Sequence, residues 1–158
     1  MLYKKIKAFL VFQFVYLIFL ITFVNASGLN VKPTLYYWKN VPLGKSIECP
    51  QSINIKNKSN AVISFKVKTY KPSNLGLDIE DGYDEIPSKK WISFEKKHLT
   101  SNPKQTIPLK VFVNIPNKKK YLNKKWEVIV SIQEHFRPSN MFSIVNDVKL
   151  LISTITTK

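Results

Sequence analysis

Two histidines and one cysteine are the residues of this chain best suited to nucleophilic or metal chemistry. His98 or His135 could act as a general base and Cys49 as a nucleophile, but none of them lies in a recognisable nucleophile motif. No His or Cys stands at zinc-ligand spacing from another, and the four glycines are too scattered for a phosphate-binding loop. The sequence therefore predicts a protein that is not an enzyme and needs no cofactor or metal. The enzymatic alternative, a small hydrolase, requires a pocket that joins a histidine to a carboxylate.

Acidic side chains are concentrated in one stretch. Five of the ten acidic residues of the chain are Asp78, Glu80, Asp81, Asp84 and Glu85. Clustered carboxylates bind Ca²⁺ in EF-hands, but the spacing here does not match the EF-hand loop. We therefore interpret the stretch as a solvated acidic loop that faces lysines.

Lysine supplies nearly all of the positive charge. The formal net charge is +15, and only Arg137 is an arginine. Base and phosphate recognition favour the planar guanidinium fork, so this composition argues against a nucleic-acid partner. So large a charge favours anionic surfaces, and we predict that the partner is a protein or an anionic envelope polymer. A codon bias towards A and T is an alternative explanation of the charge. The candidate binding surface is the lysine-rich segment with Lys118, Lys119, Lys120 and Lys124.

Three consecutive aromatic residues, Tyr36, Tyr37 and Trp38, support a different function. Aromatic rings stack on sugars, so a carbohydrate-binding accessory module is the second hypothesis. Such a module would present the rings as a flat exposed row. A protein that binds by strand pairing would bury them and leave a strand edge uncovered.

The N-terminal residues have the pattern of a targeting segment. A short basic region ending at Lys7 precedes an uncharged apolar run over residues 8–24, and a signal-peptidase site follows between Ala26 and Ser27. We expect residues 1–26 to be a signal peptide and residues 27–158 to form one domain. An uncleaved anchor is the alternative, because the run is just long enough to span a bilayer, and only then is a membrane a partner. Both versions predict an exported protein that is periplasmic, secreted or on the cell surface.

Period-two alternation of apolar residues dominates the rest of the chain. In the segment 125–132, Trp126, Val128, Val130 and Ile132 share one face and Glu127 lies on the opposite face, which predicts a central strand. Residues 106–115 alternate most regularly. Because a short link joins these two segments, we expect them to form a hairpin.

Similar patterns predict further strands at 29–37, 45–56, 61–69, 91–94 and 148–152. Residues 45–69 are expected to form a hairpin whose first strand kinks at Cys49-Pro50, with Cys49 as a small core residue. The hairpin turn contains Asn57-Lys58-Ser59, which fits a glycosylation sequon. Residues 71–90 read as a long loop. Frequent turn signals and the absence of helical periodicity predict an all-β, antiparallel β-sandwich of about seven or eight strands.

The order of these motifs resembles that of bacterial immunoglobulin-like domains. A Pro-Gly turn, a strand, an Asn-x-Ser turn and a second strand follow one another in Pro42–Gly44, Ile53–Asn60 and Ile63–Val67. The likeness continues at later turn and core positions: Gly82-Tyr83, Ile86-Pro87, Trp91-Ile92, Pro108–Val111, Ile115-Pro116 and Lys125–Glu127. Similar domains include major sperm protein, Hydin-type modules and the N-terminal domain of pilus chaperones. The resemblance covers most of residues 29–133.

This resemblance implies a sandwich used for adhesion, surface assembly or as an accessory module. A pilus chaperone has a second domain, and a chain of 158 residues fits one domain. The matching positions are turn and core residues, so no residue receives a function from the resemblance. The expectation is an exported, non-enzymatic immunoglobulin-like module for protein–protein or cell-envelope interaction.

Overall fold

The computed structural model describes residues 28–134 and 144–155, and these residues are almost entirely β-structure. The twelve strands are β1 (Leu29–Lys32), β2 (Leu35–Val41), β3 (Ser46–Glu48), β4 (Ile53–Asn57), β5 (Ile63–Tyr70), β6 (Asp84–Glu85), β7 (Ile92–Phe94), β8 (His98–Ser101), β9 (Thr106–Leu109), β10 (Val111–Asn114), β11 (Lys125–Glu134) and β12 (Val145–Thr154). Within the described ranges, no helix is long and apolar enough to cross a membrane.

One layer of the fold is a six-stranded sheet centred on β11. Its main path is β2-β12-β11-β5-β8, and β6 pairs in parallel with β11 at Trp126 and Glu127. The contacts of β11 with β12 and β5 are antiparallel, whereas β2 runs parallel to β12. The prediction of a central strand at residues 125–132 is therefore confirmed.

The second layer consists of two three-stranded sheets, β1-β4-β9 and β3-β10-β7. Only Lys110 separates β9 from β10, so these two strands continue each other along the layer. The predicted strand over 106–115 is thus interrupted where its neighbour changes from β4 to the pair β3 and β7. Similar interruptions between β1 and β2, and between β3 and β4, explain why the sandwich has more strands than we expected.

Both predicted hairpins are wrong. Residues 106–115 pair with β3, β4 and β7, whereas β11 belongs to the other layer. Likewise β4 pairs with β1 and β9, whereas β5 pairs with β11 and β8. Apolar alternation shows that a strand has one buried face. It does not show to which of the two layers the strand belongs, because strands of both layers alternate in the same way. In each case the connecting turn carries the chain across the sandwich to the other layer.

The core lies between the two layers and is formed by apolar side chains from both. Val128, Val130 and Ile132 of β11 are completely buried there, as the alternation predicts. Ile129 and Glu127 on the opposite face are also completely buried. The short 3₁₀ helix Pro72–Leu75 contacts β11. The long loop therefore covers the outer face of the central strand, which the sequence pattern did not reveal.

The sequon residue Asn57 has a structural role in the fold. Its side chain is completely buried, and Nδ2 donates to the carbonyl oxygens of Ala61, Ser101 and Asn102 at 2.8–3.1 Å. Oδ1 accepts a hydrogen bond from the backbone N–H of Ser59 at 2.9 Å. Because the glycosylation nitrogen is buried and bonded, the folded domain offers no room for a glycan on Asn57. The Asn-x-Ser pattern here builds a turn.

Candidate functional site

The residues suited to catalysis are not brought together. Cys49 is buried, which confirms its prediction as a core residue, and burial raises the pKa of its thiol. His98 lies exposed on β8 and lines neither of the two clefts described below. His135 and the predicted cleavage site at Ala26 and Ser27 lie outside the described residues. In the ranges 28–134 and 144–155, no group of three His, Cys, Asp or Glu side chains is placed to hold a metal ion.

The three consecutive aromatic residues do not form a flat row. They alternate along β2, so Trp38 is buried in the core while Tyr37 is 50% exposed. Tyr36 is half-buried and packs against the core, and burial, followed by the neighbouring Cys49, raises the pKa of its hydroxyl. A single exposed ring remains. This arrangement removes the aromatic platform that the carbohydrate-binding hypothesis needs.

The four predicted lysines lie on the link between β10 and β11. Lys118, Lys119, Lys120 and Lys124 are all exposed, and none of them forms an ion pair with a described residue. Tyr121 holds this link in place, because its ring centroid lies 4.9 Å from that of Trp91 and 5.7 Å from that of Trp126 in edge-on contacts. The lysines therefore form an exposed surface on an anchored segment.

Part of one sheet edge has no partner strand among the described residues. The strand β2 pairs with β12 only from Lys149 to Thr154, and the N–H of Lys149 donates to the Thr34 carbonyl at 2.9 Å. Before Lys149 the neighbouring strand is β1, which bonds to β4. The N–H and C=O groups of Val145 and Asp147 point the same way as those of Lys149, since strand residues alternate. No described strand pairs with them on that side.

A shallow cleft of about 650 Å³ adjoins this edge, at the point where the first strand crosses between layers. Its lining residues include four with carboxamide side chains, Asn30, Gln51, Asn54 and Asn146, and none that is acidic. The Nδ2 atom of Asn146 is buried and has no hydrogen-bond partner among the described residues. Buried donors are normally satisfied, so this nitrogen marks an unfilled interaction. We call this feature the carboxamide cleft.

A second cleft, of about 510 Å³, opens between β5 and β7. The apolar residues Val67, Ile92 and Phe94 line it, together with the lysines Lys66, Lys68, Lys89, Lys90 and Lys97. None of these five lysines forms an ion pair with a described residue. We call this feature the lysine groove. Sequence reasoning missed it because the five lysines come from three separate segments, and only the Lys-x-Lys pattern of β5 hinted at it.

The lysine groove and the predicted lysine surface lie at the same end of the molecule. Lys89 and Lys90 directly precede Trp91, and Lys119 and Lys120 directly precede Tyr121. The rings of Trp91 and Tyr121 are in contact. The positive charge is therefore contributed by two neighbouring elements, and the predicted four residues are one part of it.

The acidic loop is fastened to the outer face of the large sheet. Glu127 Oε2 accepts a hydrogen bond from the backbone N–H of Glu80 at 2.7 Å, and Lys149 Nζ lies 3.4 Å from Glu127 Oε1 and 3.7 Å from Glu80 Oε2. Further along, Glu85 accepts hydrogen bonds from Ser73 and Lys71, which hold its carboxyl pKa below the ordinary value. These contacts confirm that the loop faces lysines.

No protein-family model matches this sequence, and no curated protein matches it either. Solved structures do match its fold. The PapD-like domain 7 of human CEP192 has a TM-score of 0.60 at 6% identity, over 84% of this chain and 88% of that chain. The periplasmic chaperone SfaE has a TM-score of 0.55 at 12% identity, over 80% of this chain and 58% of that chain. A chain from the complex of Salmonella enterica SafA pilin with the SafB chaperone has a TM-score of 0.55 at 11% identity, over 84% and 57%.

These likenesses show the fold. The described residues form an immunoglobulin-like β-sandwich, which confirms the predicted fold. This chain spans little more than half the length of the matched chains in the two chaperone structures. At such low identities a shared fold carries no residue roles, so function has to be argued from this chain's own surfaces.

Proposed function

We propose that this protein is an exported, non-enzymatic immunoglobulin-like module that binds an extended segment of a partner protein. The binding site is the uncovered half of the β12 edge, at Val145–Val148. The basic and apolar N-terminal segment supports export, with residues 1–26 acting as a signal peptide and residues 27–158 as one domain. A chaperone of this fold occurs in a complex with a pilin, so the fold is compatible with protein partners.

The observation that carries this proposal is the set of backbone groups on Val145 and Asp147. Two donors and two acceptors point away from β11 and lack a described partner strand. An extended segment placed there continues the sheet and satisfies all four groups. Val145 is 51% exposed, so its side chain leaves the edge accessible.

A pair of substitutions at one position tests the edge. Asp147→Pro removes an outward N–H that β11 does not use, whereas Asp147→Ala keeps this N–H and removes the same carboxylate. The probe is a phage-displayed library of random peptides about ten residues long, the upper end of natural strand lengths. We expect wild-type protein and Asp147→Ala to enrich the same extended sequences and Asp147→Pro to enrich none. Equal enrichment on all three proteins would overturn strand pairing at this edge.

The lysine groove supports a second function, attraction of an anionic envelope polymer. Five lysines that form no ion pair with a described residue line it without an acidic lining residue, and four more stand on the adjacent link. Exposed charges of opposite sign attract each other over a screening length of about 10 Å at 0.1 M salt. We expect the exported protein to bind a polyanion such as polyglutamate at low salt and to release it at 0.5 M salt. Binding that resists salt would contradict this second function.

A further inference from the structure

We propose that the carboxamide cleft is a specificity pocket that receives one Asn or Gln side chain of the segment bound at the β12 edge. This inference rests on the proposed function, because the pocket reads a segment that the edge holds. It adds the chemical class of the residue that is recognised. The evidence is the position of Asn146, the composition of the cleft and its place beside the free edge.

Asn146 has a side-chain nitrogen that makes no hydrogen bond to a described residue. Its backbone pairs with Ile132 of β11, so the main chain is satisfied. Side chains alternate along the strand, and Asn146 therefore points to the same side as the buried residues Val148 and Leu150. Its Nδ2 is buried without a hydrogen-bond partner among the described residues. An apolar side chain would fill this position without that cost, so the amide has its use in a complex.

The geometry of strand pairing directs one ligand side chain into the cleft. Residues directly opposite each other on neighbouring strands place their side chains on the same face of the sheet. A segment that bonds to Val145 and Asp147 places one residue opposite Asn146. The side chain of this residue therefore lies on the same face as Asn146, beside the cleft that Asn146 lines.

The lining favours a neutral amide over an acid or an apolar residue. Carboxamides present both donors and acceptors, and a ligand carboxamide matches both. A ligand carboxylate would lose water beside Asn146 without a buried cation, since Lys32, the one charged side chain lining the cleft, is itself exposed. An apolar side chain would leave the Asn146 nitrogen unpaired.

The test compares peptides selected on the exported wild-type protein with peptides selected on Asn146→Leu, from the same library of random displayed peptides. On the wild type we expect Asn or Gln to be enriched about tenfold at one fixed position of an extended consensus. On Asn146→Leu the consensus should persist with this preference lost. The thermal midpoint of the free Asn146→Leu variant should rise, because an unpaired buried donor has been removed. A merely structural role for Asn146 would change stability without changing the selected residue.

The outcomes separate this inference from the proposed function. A consensus without Asn or Gln, one with Asp or Glu at the fixed position, or a preference that survives Asn146→Leu would overturn the specificity pocket and leave strand pairing intact. The absence of any consensus, or one that survives Asp147→Pro, would overturn the edge itself and the pocket with it.

Discussion

The carboxamide cleft and the lysine groove have a similar origin but opposite chemistry. Each opens where a neighbouring strand stops covering an edge: β2 covers β12 only from Lys149 onward, and β8 covers β5 only as far as Lys66. Four carboxamide residues and one exposed lysine, Lys32, line the first opening, where the Asn146 nitrogen has no hydrogen-bond partner among the described residues. Five lysines that form no ion pair with a described residue line the second. The carboxamide cleft can therefore make short-range, directional hydrogen bonds, whereas the lysine groove exerts a long-range electrostatic attraction that has no preferred direction.

This difference predicts a division of roles between the two openings. Hydrogen bonds to an edge and a pocket depend on geometry and discriminate among sequences. The attraction between lysines and anions weakens as the salt concentration rises. It accepts many anions, because the ammonium group is a point charge on a flexible side chain. Substitutions that abolish binding at one opening should therefore leave binding at the other unchanged.

The largest expected effect comes from charge reversal in the lysine groove. Lys68→Glu with Lys89→Glu should weaken polyglutamate binding about a hundredfold at low salt, since each close charge pair contributes about 1 kcal/mol and reversal adds repulsion. Peptide selection at the β12 edge should be unchanged. Binding can be measured by fluorescence titration against salt.

The control for this experiment is Lys39→Glu with Lys56→Glu. Both lysines are exposed and neither lines the groove, so the net charge changes equally. If the control weakens polyanion binding as much as the groove variant does, total charge determines the binding and the groove has no separate role.

The next largest effect is expected at the outer face of β11, which the acidic loop covers between the two openings. Glu127→Gln removes the charge of a completely buried carboxylate beside Lys149 and should lower the free energy of unfolding by about 1–3 kcal/mol. The exposed pair Glu48–Lys110, with atoms 3.2 Å apart, provides the comparison. Glu48→Gln should cost less than about 0.5 kcal/mol. Urea denaturation measures both values, and equal losses would show that the buried carboxylate does not anchor the loop.

A smaller effect is expected from pH. The pKa of Glu85 is lowered in the folded state by Ser73 and Lys71, so its contribution to stability is present above the ordinary Glu pKa of about 4.3. This contribution disappears as the pH falls through the lower folded pKa. Thermal midpoints measured from pH 6 to pH 3 should fall less steeply for Glu85→Gln than for the wild type. Parallel curves would contradict this assignment.

The smallest effect concerns Cys49, which should not contribute to either surface. Its thiol is buried and its pKa is raised, so the reactive thiolate is scarce at neutral pH. Labelling by a thiol reagent at pH 7 should be slow in the native protein and fast in urea. Fast native labelling would show that the core opens near this residue.

The individual strands and the sandwich class could be predicted from the sequence. Apolar alternation identified β10 and β11, because a half-buried strand must alternate to fill a core. It did not predict that the segment 29–37 is divided between β1 and β2, which belong to different sheets. It did not predict that Glu127 is buried, since this burial depends on a loop from a distant part of the chain.

Local pattern and residue chemistry are enough to specify the strands, the turns, a lysine-rich surface and a core that includes Cys49 and Trp126. Which strands are neighbours, and which edge lacks a partner strand, depends on the tertiary structure. Pairing depends on which layer each turn delivers its strand to, and no local pattern records that choice. The two candidate surfaces arise at the positions where strands end or change layer, so the fold was required to find them.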